Sequence, residues 1–218
     1  MAIMNKKHQV HNLIILDESG SMEPIKKQII SGFNELVQTI QGIEKEYPEQ
    51  EHFISFVTFN GLGNKVIHFR EPASSLKAID NSKYNPDSMT PLFDAMGFSI
   101  ARLKHELEDI QDYNALVTIL TDGEENASKE YSAHSIKCLV EDLKKQKWTF
   151  TYIGTDHNVE DFAVSISISN TINFGKTDAG INTMFAGEKE ARHRYSQNIR
   201  EQKDTSEGFY DKDKQDIK

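Results

Sequence analysis

Apolar residues along this chain fall into runs of two periods. Residues 13–16 (Leu-Ile-Ile-Leu) and 115–120 (Ala-Leu-Val-Thr-Ile-Leu) are nearly continuous apolar stretches, the pattern of central parallel strands covered by helices on both faces. Each is followed within two residues by an aspartate, Asp17 and Asp122. Between 23 and 47 the period changes: Ile25, Ile29, Phe33, Leu36, Val37, Ile40 and Ile43 recur at helical spacing, with Pro24 tolerated in the first turn. Residues 52–59 and 65–69, rich in Phe, Val and Ile and joined by Asn60-Gly61-Leu62-Gly63-Asn64, predict an antiparallel hairpin at a sheet edge.

Thr90-Pro91 predicts the start of a second helix with Leu92, Ala95, Met96, Ile100, Leu103 and Leu107 on one face. Further helices are expected at 131–146, 159–163 and 181–200, and strands at 148–153 and 171–174. Ser165-Ile166-Ser167-Ile168-Ser169 alternates like a strand but follows a helical pattern, so its state stays open. Strands alternating with helices imply a doubly wound, Rossmann-like α/β/α sandwich, with a mostly parallel sheet and one antiparallel edge strand. The expected organisation is a single domain over 1–201. Residues 202–218 turn to Lys, Asp, Glu and Ser and predict a disordered charged tail.

Composition narrows the function classes. The 218 residues carry a net charge of -9, from 34 acidic against 25 basic side chains, which argues against a nucleic-acid backbone as the partner. Apolar runs stop far short of a membrane span, so no membrane role is expected. One cysteine, Cys138, excludes an intramolecular disulfide framework, and with no basic-plus-apolar leader pattern the expected location is cytoplasmic.

Candidate chemistry lies where the strands end. In doubly wound sheets ligands bind beyond the carboxyl ends of the strands, where the strand order reverses. Three loops meet there: Asp17-Glu18-Ser19-Gly20-Ser21, the Thr90-Pro91 helix start, and Asp122-Gly123-Glu124-Glu125-Asn126. Asp17, Ser19, Ser21, Thr90 and Asp122 offer two carboxylates and three hydroxyls, a donor set suited to a small hard cation. Taken singly, each has a plainer explanation. Thr90 reads as a helix cap, Ser19 and Ser21 as caps of the helix near Glu23, and the aspartates as strand-end turn residues. Their joint appearance at three separated places favours a metal site.

Asp-x-Ser-x-Ser after the first strand, an isolated Thr-Pro helix start and a later Thr-Asp-Gly, in that order, resemble the von Willebrand factor type A domain. The resemblance runs from about Val10 to Phe174, and 89–95 and 120–126 are similar to its intracellular bacterial branch. It implies a metal-ion-dependent adhesion site at Asp17, Ser19, Ser21, Thr90 and Asp122, holding Mg²⁺, with Mn²⁺ or Ca²⁺ as alternatives. It also implies a non-enzymatic binding module: a protein partner supplies an Asp or Glu carboxylate as the last ligand, as in adaptors of assemblies with an ATPase or a stress response. The rival reading is a Mg²⁺-dependent phosphoryl-transfer enzyme on the same sheet. Such an enzyme wants a second carboxylate two residues after Asp17, where this chain has Ser19, and no phosphate-binding glycine loop is present.

The remaining candidates read as structural. Glu18, Glu124 and Glu125 are expected to face solvent, since inward carboxylates would repel a partner's. His134 and Cys138, four apart on a helix, make too small a set for a metal. His8 and His11 flank the first strand without a neighbouring nucleophile, and Phe53, Phe56 and Phe59 read as sheet packing.

Overall fold

The computed structural model describes residues 7–210. Six strands, β1 (His8–Asp17), β2 (Gln50–Asn60), β3 (Gly63–Pro72), β4 (Tyr113–Leu120), β5 (Trp148–Gly154) and β6 (Asn170–Asn173), form one sheet in the order β3-β2-β1-β4-β5-β6. Every neighbouring pair is parallel except β2 with β3, the expected hairpin. Five α-helices cover the sheet: α1 (Lys26–Glu46), α2 (Leu92–Leu107), α3 (Ala133–Lys144), α4 (Val159–Ser165) and α5 (Asp178–Arg200).

Alternation within each strand divides the core in two. Val10, Ile14 and Leu16 of β1 point to the layer of α1 and α5, while Leu13 and Ile15 point to that of α2, α3 and α4. Burial on both faces is why β1 and β4 read as continuous apolar runs. Beneath α5 the first layer also encloses an ion pair, Arg192 Nε to Glu188 Oε2 at 2.9 Å, with Arg192 also donating to Asn12 and Thr118.

Several boundaries moved for identifiable reasons. The turn expected to open the first helix is a 3₁₀ helix over Gly20–Ile25 containing Pro24, and regular α geometry begins at Lys26. Pro24 lacks the N–H that an α-helical ladder would use. Residues 166–169 are irregular: Ile166 and Ile168 are buried, and Ser167 has φ 61°. The apparent strand alternation there is a turn that buries two isoleucines. α5 starts three residues earlier than its apolar pattern, because the Thr177 side chain accepts from Gly180 N–H and caps it.

Residues 203–210 differ most from the expectation of an unstructured charged tail. Phe209 and Tyr210 are buried against the α5 face, Tyr210 donates to Glu188, and Phe209 N–H bonds Asn170 Oδ1. Average composition conceals two adjacent aromatics with enough apolar area to hold the segment down. Residues 211–218 of that expected tail lie outside the described region.

β1 pairs with β2 on one side and β4 on the other, so the strand order reverses at β1, and its carboxyl end faces the crevice where ligands of such sheets bind.

Candidate functional site

Asp17 ends β1 fully buried. Its Oδ1 accepts from the Ser19 amide at 2.7 Å and its Oδ2 from Thr121 Oγ1 at 2.6 Å, so the aspartate ties the first loop to the end of β4. Burial pushes its pKa up to about 6, against the hydrogen bonds from Thr121 and Ser19, and the neighbouring Asp122 charge adds to the rise. A buried carboxylate in that condition is short of positive charge.

The hydroxyls connect the first and third loops. Ser19 Oγ lies 3.1 Å from Ser21 Oγ, and Ser21 Oγ donates to Asp122 Oδ1 at 2.7 Å. Neither serine has the capping role the sequence allowed: the Ser19 side chain makes no cap bond to the 3₁₀ turn it precedes. A serine that gives its proton to a carboxylate keeps its lone pairs available, the state a hard cation requires of a neutral ligand.

Thr90 is buried at the second loop, and a Cβ built on Gly123 would lie 3.9 Å from its Oγ1, so the second and third loops meet there. Thr90 is not the cap of α2. The first-turn amides are taken by the third loop: Phe93 N–H bonds Glu125 Oε2 at 2.8 Å and Asp94 N–H bonds Ser128 Oγ at 3.0 Å. Asn126 Oδ1 in turn accepts from Thr90 N–H at 3.0 Å. With capping done from across the crevice, the Thr90 hydroxyl is spared for other use. All five residues of the sequence motif thus converge on the same end of the sheet.

Two of the three neighbouring glutamates do not face solvent. Glu124 is exposed, but Glu125 is the cap just described and also accepts from Ala127 and Ser128. Glu18 is buried, its Oε2 bonded to Thr58 Oγ1 at 2.5 Å and its Oε1 to Lys65 Nζ at 2.6 Å and Asn85 N–H at 2.5 Å. Backbone bonds from Asp87 N–H to Glu18 O and from Gly20 N–H to Ser88 O run alongside, and the Tyr84 hydroxyl donates to Asp17 O. Glu18 therefore fastens the loop that delivers Thr90 to the loop that holds the serines. Ser88, two residues before Thr90, takes φ 69°, a left-handed conformation that such fastening sustains.

Lys176 is the residue sequence reasoning missed. It reaches from the β6–α5 turn to within 2.8 Å of Asp122 Oδ2 and 2.7 Å of Asp156 Oδ2. Partial burial acts to lower its pKa, but the two carboxylates outweigh this and raise it above the ordinary lysine value. An isolated lysine after a strand has no motif to mark it.

The other candidates are not among these contacts. His134 and Cys138 are exposed on α3 with Nε2 and Sγ 3.8 Å apart. His8 pairs with Asp112 at the opposite end of β1, and His11 is buried, stacked on Phe53. Phe56 and Phe59 pack in the core. Among the described residues, no helix is long and apolar enough to cross a membrane.

A family model for the von Willebrand factor type A domain matches residues 13–187. The chain belongs to that family. No curated protein matches the sequence. Among solved structures, this type A domain is similar to the PilB minor pilin from Streptococcus sanguinis (14% identity, TM-score 0.59, covering 86% of this chain and 62% of the pilin). It is also similar to the pilus adhesin SpaC from Lactobacillus rhamnosus GG (12%, TM-score 0.62, covering 86% and 31%) and to the SpRpn10 VWA domain (13%, TM-score 0.55, covering 82% and 94%). This chain spans less than two thirds of the two pilus proteins. Identities so low establish the fold. Type A domains are generally protein-interaction modules, which is the coarse function that family membership carries.

Proposed function

We propose that this type A domain is a divalent-cation-dependent protein-binding module whose contact surface is the carboxyl end of the sheet. The observation that carries this reading is the Ser21 to Asp122 hydrogen bond, which joins two loops distant in sequence and leaves the serine oxygen available to a cation. Ser19, Ser21 and Thr90 would hold Mg²⁺, or Mn²⁺ or Ca²⁺, through neutral oxygens. Asp17 and Asp122 would act through those hydroxyls and through bound water. A cation held mostly by neutral ligands keeps its positive charge and accepts a carboxylate from a partner's Asp or Glu.

The chain's own groups prepare that surface. Glu18 and Glu125 are neutralised or bonded inward, so they do not oppose an incoming carboxylate. Leu62 (79% exposed) and Met89 (53%) stand beside the crevice at the β2–β3 turn and the Thr90 loop, and would give a protein partner apolar contact around the acidic one. The single cysteine agrees with a cytoplasmic setting, and the fitting role is an adaptor in an intracellular complex, of the kind built around an ATPase or a stress response. Catalysis is disfavoured because Ser19 stands where a phosphoryl-transfer site would use a carboxylate, and it is engaged with Ser21.

Affinity capture from native cell extract, with Mg²⁺ against chelator and with Asp122→Ala as control, tests the reading. A partner retained only by the unmodified chain with Mg²⁺ is expected. Capture indifferent to both chelator and Asp122→Ala, or Mg²⁺-dependent phosphatase turnover lost in Asp17→Asn, would overturn it.

A further inference from the structure

Lys176 occupies an unusual place for a lysine. Its Nζ bridges Asp122 Oδ2 and Asp156 Oδ2, while Asp122 Oδ1 is held by Ser21. The Asp122 side chain is wholly buried, whereas that of Asp156 is 59% exposed, so the ammonium spans from the interior of the crevice to its rim. Both oxygens of the carboxylate on which the proposed cation site depends are therefore already engaged, one of them by a full positive charge.

We propose that Lys176 is a built-in counter-ion of this site, competing with a divalent cation for Asp122 and setting how tightly the chain binds it. The inference rests on the cation-site reading above. Its physical basis is that the Lys176 ammonium and a cation held by Ser21 would lie on the two sides of one Asp122 carboxylate, where they repel each other and divide its charge, and that the crevice is buried enough for water to screen this poorly. Asp156 completes the device. Because it holds the same ammonium from the rim, Lys176 keeps an anionic partner when it gives up Asp122, and displacement does not strand a charge. Asp156 sits at φ 62° in the turn after β5, a left-handed conformation that Asp tolerates and that aims its carboxylate at Lys176.

A carboxylate arriving from a partner protein would offset the repulsion between the ammonium and a bound cation. Cation and partner then strengthen one another by the same factor, with Lys176 as the origin of the coupling.

The experiment is a calorimetric or equilibrium-dialysis titration of the full chain with Mn²⁺ and Mg²⁺ alone, comparing the unmodified protein with Lys176→Met, Lys176→Gln, Lys176→Arg and Asp122→Ala, with circular dichroism as a check on folding. Lys176→Met and Lys176→Gln should lower the Mn²⁺ dissociation constant about tenfold or more, and Lys176→Arg should leave it near the unmodified value. Lys176→Gln, which removes the charge but keeps a polar side chain, carries the test should Lys176→Met fail to fold. Folded neutral variants that bind Mn²⁺ no more tightly than the unmodified protein would overturn the proposal, while loss of binding in Asp122→Ala would show that the cation site itself stands. No Mn²⁺ binding by any variant, or equal binding by Asp122→Ala, would overturn both.

Discussion

Ser21 donates a hydrogen bond to Asp122 across 101 residues of chain, with 2.7 Å between the two oxygens. That bond orients a hydroxyl and locks two loops together, so either partner's loss should be felt wherever the site is used. Mg²⁺ or Mn²⁺ is expected to raise the melting temperature of the unmodified chain, by mass action on the folded state. Ser21→Ala and Asp122→Ala should each shrink that rise, read by thermal unfolding with cation and with chelator. Equal rises in all three proteins would refute the assignment of these residues.

Glu18 should prove more costly to change than its exposed ion-pair partner. Glu18→Gln keeps the side chain's shape but sets an amide group against donors from Thr58, Asn85 or Lys65, costing about 2 to 3 kcal/mol. Lys65→Met should cost less, since the Lys65 side chain is 45% exposed and surface ion pairs contribute about 1 kcal/mol or less. Urea unfolding measures both. Glu18→Gln should also reduce the cation-induced stabilisation, because the Thr90 loop loses its fastening.

Acid should destabilise the fold through two histidines. Burial, helped by Arg70 for His11 and by Arg192 for His52, lowers each pKa from 6.5 to about 3. The unfolded chain then binds more protons between those values, so the stability due to each histidine is fully present above about pH 6.5 and is lost as pH falls toward about 3. At pH 5 the loss is about 2 kcal/mol per histidine. Asp17 has the opposite sign: with its pKa raised to about 6, the native state binds the extra proton between 3.8 and 6, which partly offsets the loss. Urea midpoints at pH 7 and pH 5 should therefore differ, and His52→Gln should flatten the dependence.

Phe209 and Tyr210 should contribute to folding despite lying in a charged segment. Phe209→Ala is expected to cost about 3 to 5 kcal/mol as a buried aromatic truncation. Tyr210→Phe should cost about 1 to 3 kcal/mol by removing a donor from buried Glu188. Chemical denaturation decides: unchanged stability in Phe209→Ala would mean the segment is a passive appendage.

Periodicity reveals what a residue's near neighbours dictate. The apolar runs ending at Asp17 and Asp122, the amphipathic stripe from Ile25 to Ile43 and the Asn60-Gly61-Leu62-Gly63-Asn64 turn each carry their own structural instruction, so strands, helices and hairpin were legible. That the five candidate oxygen donors share one end of the sheet was legible for a related reason: strand-end loops and a Thr-Pro helix start sit by local geometry at the carboxyl end of a doubly wound sheet. Thr90 was the instructive ambiguity. Locally it is a good cap, and only the arrival of Glu125 and Ser128 from the third loop shows that the cap is supplied elsewhere.

The sequence alone determined the layered α/β architecture and which hydroxyl and carboxylate side chains follow the strand ends, because both follow from position along the chain. Tertiary structure decided which charges meet. Glu18 turned inward because Thr58, Lys65 and Asn85 converge on it, Phe209 and Tyr210 docked because the α5 face had apolar area to cover, and Lys176 found Asp122 because the β6–α5 turn ends beside β4's loop. Such pairings join positions tens of residues apart and depend on register and packing angle, neither of which leaves a periodic trace in the chain.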